Sequence, residues 1–493
     1  MNAYDDLPYA SKINRARHID ALGTMARLYG YLPADPFGAR VLEIGCSTGD
    51  ALFPLAFEYP QATFVGIDTS SSQIKEALER KKYFKEHKLD NLEFIHGDVT
   101  VEALKGRRFD YIICHGVLSW ISKEDRSEIL KSIPSLLSDK GVCFLSYNCA
   151  PGGLLRKAIW DGLKKFVTAH SSDLVEIRKA ITAFQETIEI DYEKPYQLFV
   201  YQELDRILKE PDQYLVHEVF ALQNEPLYFN QLVEDLSGHA LKIIGDVRPH
   251  RTGLQRFLSA HLAASSYTAL SQLQTHFNFS AESISDFCFG TPFRESLIMK
   301  NLQEGSPHLS KELFHSLSFS HTGIGIDEKS SSVEKLLLDH YPHFLTFSDL
   351  TSSDANALHG LDNEKVSADL MHCFIQDRIV VSFYPPEVSS KVYAFPKTSP
   401  WIQDQASRQE IVTNLQYRSI ELDSLARGLL AHLDGKTSRE ELETVAHQMV
   451  KSGEGGIKEN GQLVEDPIHV ASLIPELVES ALETLKKAAM LLP

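Results

Sequence analysis

Several polar and small residues fall at the ends of short apolar runs, where they could hold a ligand. The run RVLEIG (40–45) carries Glu43 and ends in Gly45, and Cys46, Ser47, Thr48 and Gly49 follow it. Glycines just past a strand allow a tight turn and let the backbone come close to a ligand. The run TFVGID (63–68) ends in Asp68, about 20 residues beyond the glycines, where a carboxylate can accept hydrogen bonds from both hydroxyls of a ribose. LEFIHGD (92–98) ends in Asp98, followed by Val99, and an aspartate there suits an adenine amino group. His115 and Gly116 end FDYIICHG (109–116), and Tyr147 and Asn148 end GVCFLSYN (141–148). Gln73, just inside the helix after Asp68, joins the cofactor-side candidates. A dinucleotide site would want G-x-G-x-x-G with its pyrophosphate on a helix N-terminus. The spacing here is Glu43-x-Gly45-x-x-x-Gly49, and an acid ahead of the first glycine faces an ammonium better than a pyrophosphate.

The elements that must position these groups alternate. ALFPLAFEY (51–59), the charged stretch 71–87 and EDRSEILKSIPSLL (124–137) have helical spacing, with Ser70 or Ser71 as the N-cap of the second. Short buried runs alternating with amphipathic helices predict a doubly wound parallel sheet. Such a sheet binds ligands outside the carboxyl ends of its strands, near the switch in strand order. Each group alone has a structural alternative: an Asp ending a strand is often a helix cap or a turn residue. Glu43, Gly45, Gly49, Asp68 and Asp98 in this order and spacing carry more weight together.

That pattern resembles the class I S-adenosylmethionine-dependent methyltransferases, whose first motif runs roughly (E/D)-x-G-x-G-x-G. The middle glycine is Ser47 here. A closer resemblance runs from about residue 4 to about 450, carried by YDDLPYASKINRARHIDALGTMARLYGY, HGVLSWI (115–121), SYNCAPGG (146–153), the stretch 217–246, FRESLI (293–298) and the stretch 411–442. These segments are similar to the methyltransferases with a methyltransferase regulatory domain, a group that includes bacterial lysine methyltransferases acting on outer-membrane proteins. The resemblance implies S-adenosylmethionine as cofactor, S-adenosylhomocysteine as product and a lysine of an outer-membrane or surface protein as acceptor. Relatives often read P-G-W-H after the Tyr-Asn pair, whereas Gly153 and Leu154 follow Pro151 and Gly152 here, which allows a different substrate or mode of binding. A small-molecule acceptor, or a regulator that binds the cofactor without turnover, are the competing readings.

Methyl transfer from a sulfonium is an in-line displacement and needs proximity, alignment and an uncharged nucleophile. A lysine amine with a reference pKa of about 10.4 must first lose a proton, which desolvation and a polar acceptor can bring about. Tyr147 and Asn148 could accept hydrogen bonds from the amine, Trp120 could form an aromatic wall for a methylated ammonium, and Tyr4 and Tyr9 could close the pocket. His115 could take part in proton removal or sit beside the cofactor. Trp120, Tyr147, Tyr4 and Tyr9 have core packing as the competing role. His308, His315 and His321 lack metal spacing with acidic or thiolate partners, so no metal is expected.

The remaining 340 or so residues read as modules around this site. The expected fold is α/β, with a Rossmann-like methyltransferase sheet, a helical insertion and C-terminal α+β winged-helix-like modules. The boundaries are 1–150 for the cofactor domain, its sheet completed by 214–250 (a helix near 228–238, then the strand LKIIGD), 151–300 for the helical insertion and regulatory domain, 301–395 for a winged-helix-like module and 396–493 for a last helical or winged-helix-like module. Linkers are expected at 303–331 and 385–400, a capping box at Thr437 and Glu440, and a mobile loop at 451–462.

Composition sets the outer limits. The 493 residues hold 49 Lys and Arg against 67 Asp and Glu, a net charge of −18 that repels phosphate backbones. Residues 396–493 carry 10 basic and 15 acidic residues, so the winged helix is expected to recognise protein or build a dimer rather than bind DNA. No nucleic-acid partner is expected, and the helical insertion leaves room for a homodimer. No run of about 18 uncharged apolar residues predicts a membrane span, and the N-terminus lacks the apolar core of a secretory signal. Cys46, Cys114, Cys143, Cys149, Cys288 and Cys373 form no CxxC pair, which fits a reduced, cytoplasmic protein.

Overall fold

Residues 40–44, 63–68, 109–114 and 137–148 are apolar on both faces and form central strands for that reason. In the computed structural model, residues 13–87, 89–167, 173–252, 264–277, 279–306, 309–323, 330–352, 362–452, 458–459, 462–463 and 467–493 are described. Seven strands form one sheet in the order β3-β2-β1-β4-β5-β7-β6. They are β1 (Arg40–Ile44), β2 (Thr63–Asp68), β3 (Leu92–His96), β4 (Phe109–Cys114), β5 (Leu137–Asn148), β6 (Leu241–Asp246) and β7 (Phe293–Lys300). β1 pairs in parallel with both β2 and β4, so the order reverses there and opens a crevice at their carboxyl ends. β7 runs antiparallel between β5 and β6. FRESLI is therefore a sheet strand, which its sequence motif did not announce.

Helices connect the parallel strands. α1 (Ile19–Leu28) precedes the sheet, α2 (Leu52–Glu58) follows β1, α3 (Ser71–Tyr83) follows β2 and α4 (Lys123–Leu136) precedes β5. Ser70 caps α3, its Oγ accepting from the Gln73 N–H at 3.3 Å. Ser122 caps α4 by accepting from the Asp125 N–H at 3.0 Å. One core fills the space under this layer, including Leu42, Ile67, Ile112, Ile133, Leu145 and Leu232.

The segment after β5 is helical, as its period predicts: α5 (Gly152–Val167), α6 (Leu174–Glu186) and α7 (Pro195–Lys209). They enclose a second core with Trp160, Leu163, Ile181, Leu204 and Ile207. Inside it the Trp160 indole N–H donates to Glu203 Oε1 at 2.8 Å, which satisfies a buried donor. A π-helical turn (Leu215–Val219) leads into an irregular loop, then α8 (Phe229–Ser237) and β6. α9 (Ala264–Phe277) and α10 (Ala281–Phe289) precede β7.

The chain divides into two compact units, and the division corrects the expected 1–150 block. Residues 25–52 and 59–309 belong to the first unit, whereas residues 13–24 and 53–58 group with residues 310–493. Within the second unit, Asp20 accepts from the Ser382 hydroxyl at 2.6 Å and from the N–H groups of Phe383 and Tyr384. Glu58 accepts from the Tyr417 hydroxyl at 3.1 Å and lies 3.1 Å from His18 Nε2. Burial raises the Glu58 pKa, but His18 and Tyr417 outweigh it and hold the carboxyl below its ordinary range.

The second unit contains a three-stranded sheet of β8 (Ser318–His321), β9 (Leu345–Thr346) and β10 (Ile379–Ser382), with α11 (Ser332–Asp339), α12 (Phe347–Thr351) and α13 (Asn363–Ile375). β8 lies inside the stretch expected to be a linker, because a strand this short shows no clear period among the serines around Phe319. The last module holds α14 (Pro400–Arg408), the hairpin β11 (Ile411–Thr413) and β12 (Ser419–Glu421), then α15 (Ser424–Leu430) and α16 (Arg439–Ser452). The capping box sits one residue later than expected: Glu441 N–H donates to Ser438 Oγ and Ser438 N–H to Glu441 Oε2. The described part of the expected mobile loop pairs as β13 (Lys458–Glu459) and β14 (Gln462–Leu463), ahead of α17 (Pro467–Lys487). No helix among the described residues is long and apolar enough to cross a membrane.

Candidate active site

The turn after β1 takes a left-handed backbone at three places: Gly45 at φ +73°, Ser47 at φ +51° and Gly49 at φ +80°. Gly45 is needed twice over, since a Cβ there would also lie 2.6 Å from Val117 Cγ2. Ser47 does what the family's middle glycine does, at the cost of a side chain in a region that L-residues avoid. Its backbone N–H donates to Asp68 Oδ2 at 2.9 Å, and the Ser70 N–H donates to Oδ1 at 2.8 Å. Each carboxylate oxygen keeps a second acceptor site for a hydroxyl. Burial raises the Asp68 pKa, and the N–H groups of Ser70 and Ser47 only partly offset it.

Three supports hold the turn. Arg80, on α3, donates to the Thr48 carbonyl at 3.1 Å and to Asp50 Oδ1 at 2.7 Å, and the Thr48 hydroxyl donates to Asp50 Oδ2 at 2.6 Å. Sequence reasoning missed Arg80; the only hint was an acid directly behind Gly49. Glu43 is buried at the end of β1. Cys46 is buried too, and burial, with the carboxylates of Glu43 and Asp68 nearby, pushes its thiol well above the ordinary range.

Asp98 is exposed beyond β3, and its Oδ1 accepts from both the N–H and the hydroxyl of Thr100, at 2.8 and 2.6 Å. These bonds hold its carboxyl below the usual range and leave Oδ2 available. Val99 beside it is buried. Gln73 is buried on the first turn of α3. The strand register aligns Ile44 with Ile67 and Cys114, and Asp68 with His96, so the Gly45–Gly49 turn, Asp68 and Asp98 share one sheet edge.

The ends of β4 and β5 form the neighbouring part of that edge. The His115 ring lies 5.8 Å from the Phe144 ring and 6.2 Å from the Phe293 ring, centre to centre. The Gly116 N–H donates to Ser146 Oγ at 2.8 Å. The Asn148 N–H donates to Ser119 Oγ at 2.8 Å, and its side-chain amide donates to Asn224 Oδ1 at 2.9 Å. The amide oxygen of Asn148 is an acceptor. Ser119, Ser146 and Asn224 were not singled out from sequence. Ser119 lies inside HGVLSWI, so the motif marked the place without the role.

Two candidates for the acceptor pocket pack into cores. Tyr147 alternates to the opposite face of β5 from Asn148 and is fully buried in the sheet core, with its hydroxyl 3.4 Å from Ser296 Oγ. Burial pushes its pKa well up. Trp120 sits in a turn before α4, its N–H bonded to the Val117 carbonyl, and packs on the helical core. Tyr9, with Tyr4, lies outside the described residues.

The P-G-G segment is closely packed. A Cβ at Gly152 would lie 1.9 Å from the Gly290 carbonyl oxygen, and one at Gly153 3.1 Å from Pro226. The start of α5 is thus pressed against the 220s loop and the turn before β7.

A glycine-bearing turn, two acids beyond successive parallel strands and a seven-stranded sheet with one antiparallel member define a class I methyltransferase. Comparison with known proteins agrees. Residues 42–143 match the methyltransferase domain model, 211–300 the methyltransferase regulatory domain and 395–490 the C-terminal winged helix domain of PKMT. The Rickettsia prowazekii protein RP789 is 25% identical over 99% of this chain and 94% of its own length. RP028 of the same organism is 30% identical over 49% of this chain and 96% of its own. The structure of PKMT2 from Rickettsia typhi in complex with AdoHcy superposes with a TM-score of 0.85 over 98% of this chain and 100% of that one, at 20% identity. The chain belongs to the S-adenosylmethionine-dependent methyltransferases that carry a methyltransferase regulatory domain and a PKMT-type winged helix.

Proposed function

We propose that this enzyme methylates lysine side chains of a protein, with an outer-membrane or surface protein as the acceptor. One observation carries the reading: a methyltransferase domain, a regulatory domain and the PKMT winged helix occur together in one chain. The name of the Rickettsia typhi relative and the shared full-length fold support it. Six cysteines as free thiols support action in the reducing cytoplasm. Exposed Phe166, Tyr192 and Tyr196 on the helical insertion support a homodimer through that element.

S-adenosylmethionine, when bound, supplies an electrophilic methyl group on a sulfonium. Asp68 would accept from the ribose hydroxyls, Asp98 would accept from the adenine amino group and Val99 would line the base. Glu43 would hold the amino-acid ammonium, and Gly45, Cys46, Ser47, Gly49 and Gln73 would complete the cofactor site. Asn148 accepts a hydrogen bond from the entering amine, positioned by Ser119 and Asn224. His115, at the end of β4, would take the proton released as the amine turns neutral. Proximity and alignment then provide most of the acceleration, because the leaving group is already activated.

The test is incubation with a deuterated methyl donor and outer-membrane extract, followed by mass spectrometry of peptides. Label on lysine supports the reading. Label only on small molecules, or on other side chains, contradicts it.

A further inference from the structure

Asn148 is tied to two loops. Its N–H donates to Ser119 Oγ in the loop after β4, and its side-chain amide donates to Asn224 Oδ1 in the loop before α8. Ser119 and Asn224 both lie outside helices and strands, so something else must hold them. Arg126, near the start of α4, joins the two loops. Its Nη1 donates to the Leu118 carbonyl at 3.2 Å, next to Ser119. Its Nη2 donates to Glu225 Oε2 at 2.7 Å, next to Asn224. The Glu225 N–H in turn donates to the Ser119 carbonyl at 2.8 Å. One guanidinium thus holds the residues adjoining both partners of Asn148.

Stability alone is a poor account of this arginine. Its side chain is 3% exposed, whereas that of Glu225 is 54% exposed. Burying a cation is costly, and a carboxylate that stays largely in water repays little of the cost. What the pair does supply is geometry. A guanidinium is planar and presents its donors at fixed separation, so it sets two acceptors relative to each other. The helix under it is fixed as well, since Ser122 caps α4 and its carbonyl accepts from the Arg126 N–H at 3.0 Å. We propose that Arg126 is a positioning residue for methyl transfer, locking the two loops so that the Asn148 amide oxygen meets the entering amine in one place. This rests on the role given to Asn148 above. With the amide nitrogen tied to Asn224, the direction of the oxygen follows from the position of the loop. A misplacement of about 1 Å at a reacting centre can cost on the order of a hundredfold in rate.

A double-variant cycle tests this with the full chain, deuterated S-adenosylmethionine and a fixed amount of outer-membrane extract. Arg126→Gln should lower kcat about tenfold or more, while the KM for S-adenosylmethionine stays within about twofold. Arg126→Lys, which keeps the charge and loses the planar fork, should fall between the two. In the Asn148→Ala background Arg126→Gln should cost less than about twofold, because it acts through Asn148. A merely structural role predicts losses that multiply. Multiplying losses, an unchanged kcat in folded Arg126→Gln, or a loss confined to KM overturns the proposal. If Arg126→Gln fails to fold, Glu225→Gln at the more exposed partner replaces it, with a loss of about threefold or more expected. The position of the label separates the two readings. Label on a side chain other than lysine, with losses that do not multiply, contradicts lysine transfer and leaves Arg126 in its role. Lysine label with multiplying losses contradicts the role of Arg126 alone. A crystal structure of Arg126→Gln tests the clamp without any acceptor: the Asn148–Asn224 hydrogen bond should be broken, and its retention overturns the proposal.

Discussion

Ser47 donates its backbone N–H to Asp68 Oδ2 at 2.9 Å, so the turn after β1 and the acid after β2 are one hydrogen-bonded unit. The bond comes from the backbone and does not need the serine side chain. Ser47→Gly should therefore keep the unit intact. It relieves the left-handed strain at φ +51° and adds freedom to the unfolded chain, and these effects, each about 1 kcal/mol, nearly cancel. Gly45→Ala combines a positive φ with a Cβ 2.6 Å from Val117 and should cost about 2 kcal/mol or more. Urea unfolding of both variants measures the contrast, and equal losses would show that the turn is not read correctly.

Arg80 reaches the turn from α3 and pairs with Asp50, both side chains being mostly buried. Arg80→Ala leaves Asp50 buried without this cation and should destabilise the first unit by about 3 kcal/mol. It should also weaken cofactor binding several-fold by loosening Thr48, which Arg80 holds through its carbonyl. A stable variant with full affinity would remove Arg80 from this positioning role.

The sequence made the parallel part of the sheet and the cofactor edge legible, because buried runs ending in Gly or Asp have few alternative structures. It hid the antiparallel strand β7, whose buried Arg294 and Glu295 break the apolar pattern of a central strand. Those charges are tolerated because Arg294 pairs with Asp246 at 2.6 Å and Asp286 at 2.9 Å, and Arg248 pairs with Glu295; Asp246 and Arg248 lie far along the chain from their partners. Tyr147 and Asn148 are adjacent in sequence and equally suited to an amine by type. Only the facing of β5 separates them, and that depends on the pairing of Asn148 with Phe293. The incorporation of residues 13–24 and 53–58 into the second unit likewise depends on long-range hydrogen bonds such as Tyr417 to Glu58.

The same buried pairs give a pH signature. Burial pushes the Asp246 carboxyl up to about 6, and attraction to Arg294 only partly offsets it. Its pKa is thus higher folded than unfolded, where it is about 3.9, so folding takes up a proton between these values. Through this group, stability falls as pH rises from about 4 to about 6 and is level above that, by about 3 kcal/mol in all. The difference in unfolding free energy between wild type and Asp246→Asn should therefore change across that interval. A difference independent of pH would mean that Asp246 is not raised.

The most direct test of the cofactor edge is calorimetric titration of ligand-free protein with S-adenosylmethionine, on wild type and on Asp68→Ala. The account predicts one site in the wild type and at least a thirtyfold weaker one in the variant, about 2 kcal/mol for two charge-assisted hydrogen bonds to ribose. Circular dichroism on the same samples checks that the variant is folded. Equal affinity in the two proteins, or no binding to folded wild type, would contradict it.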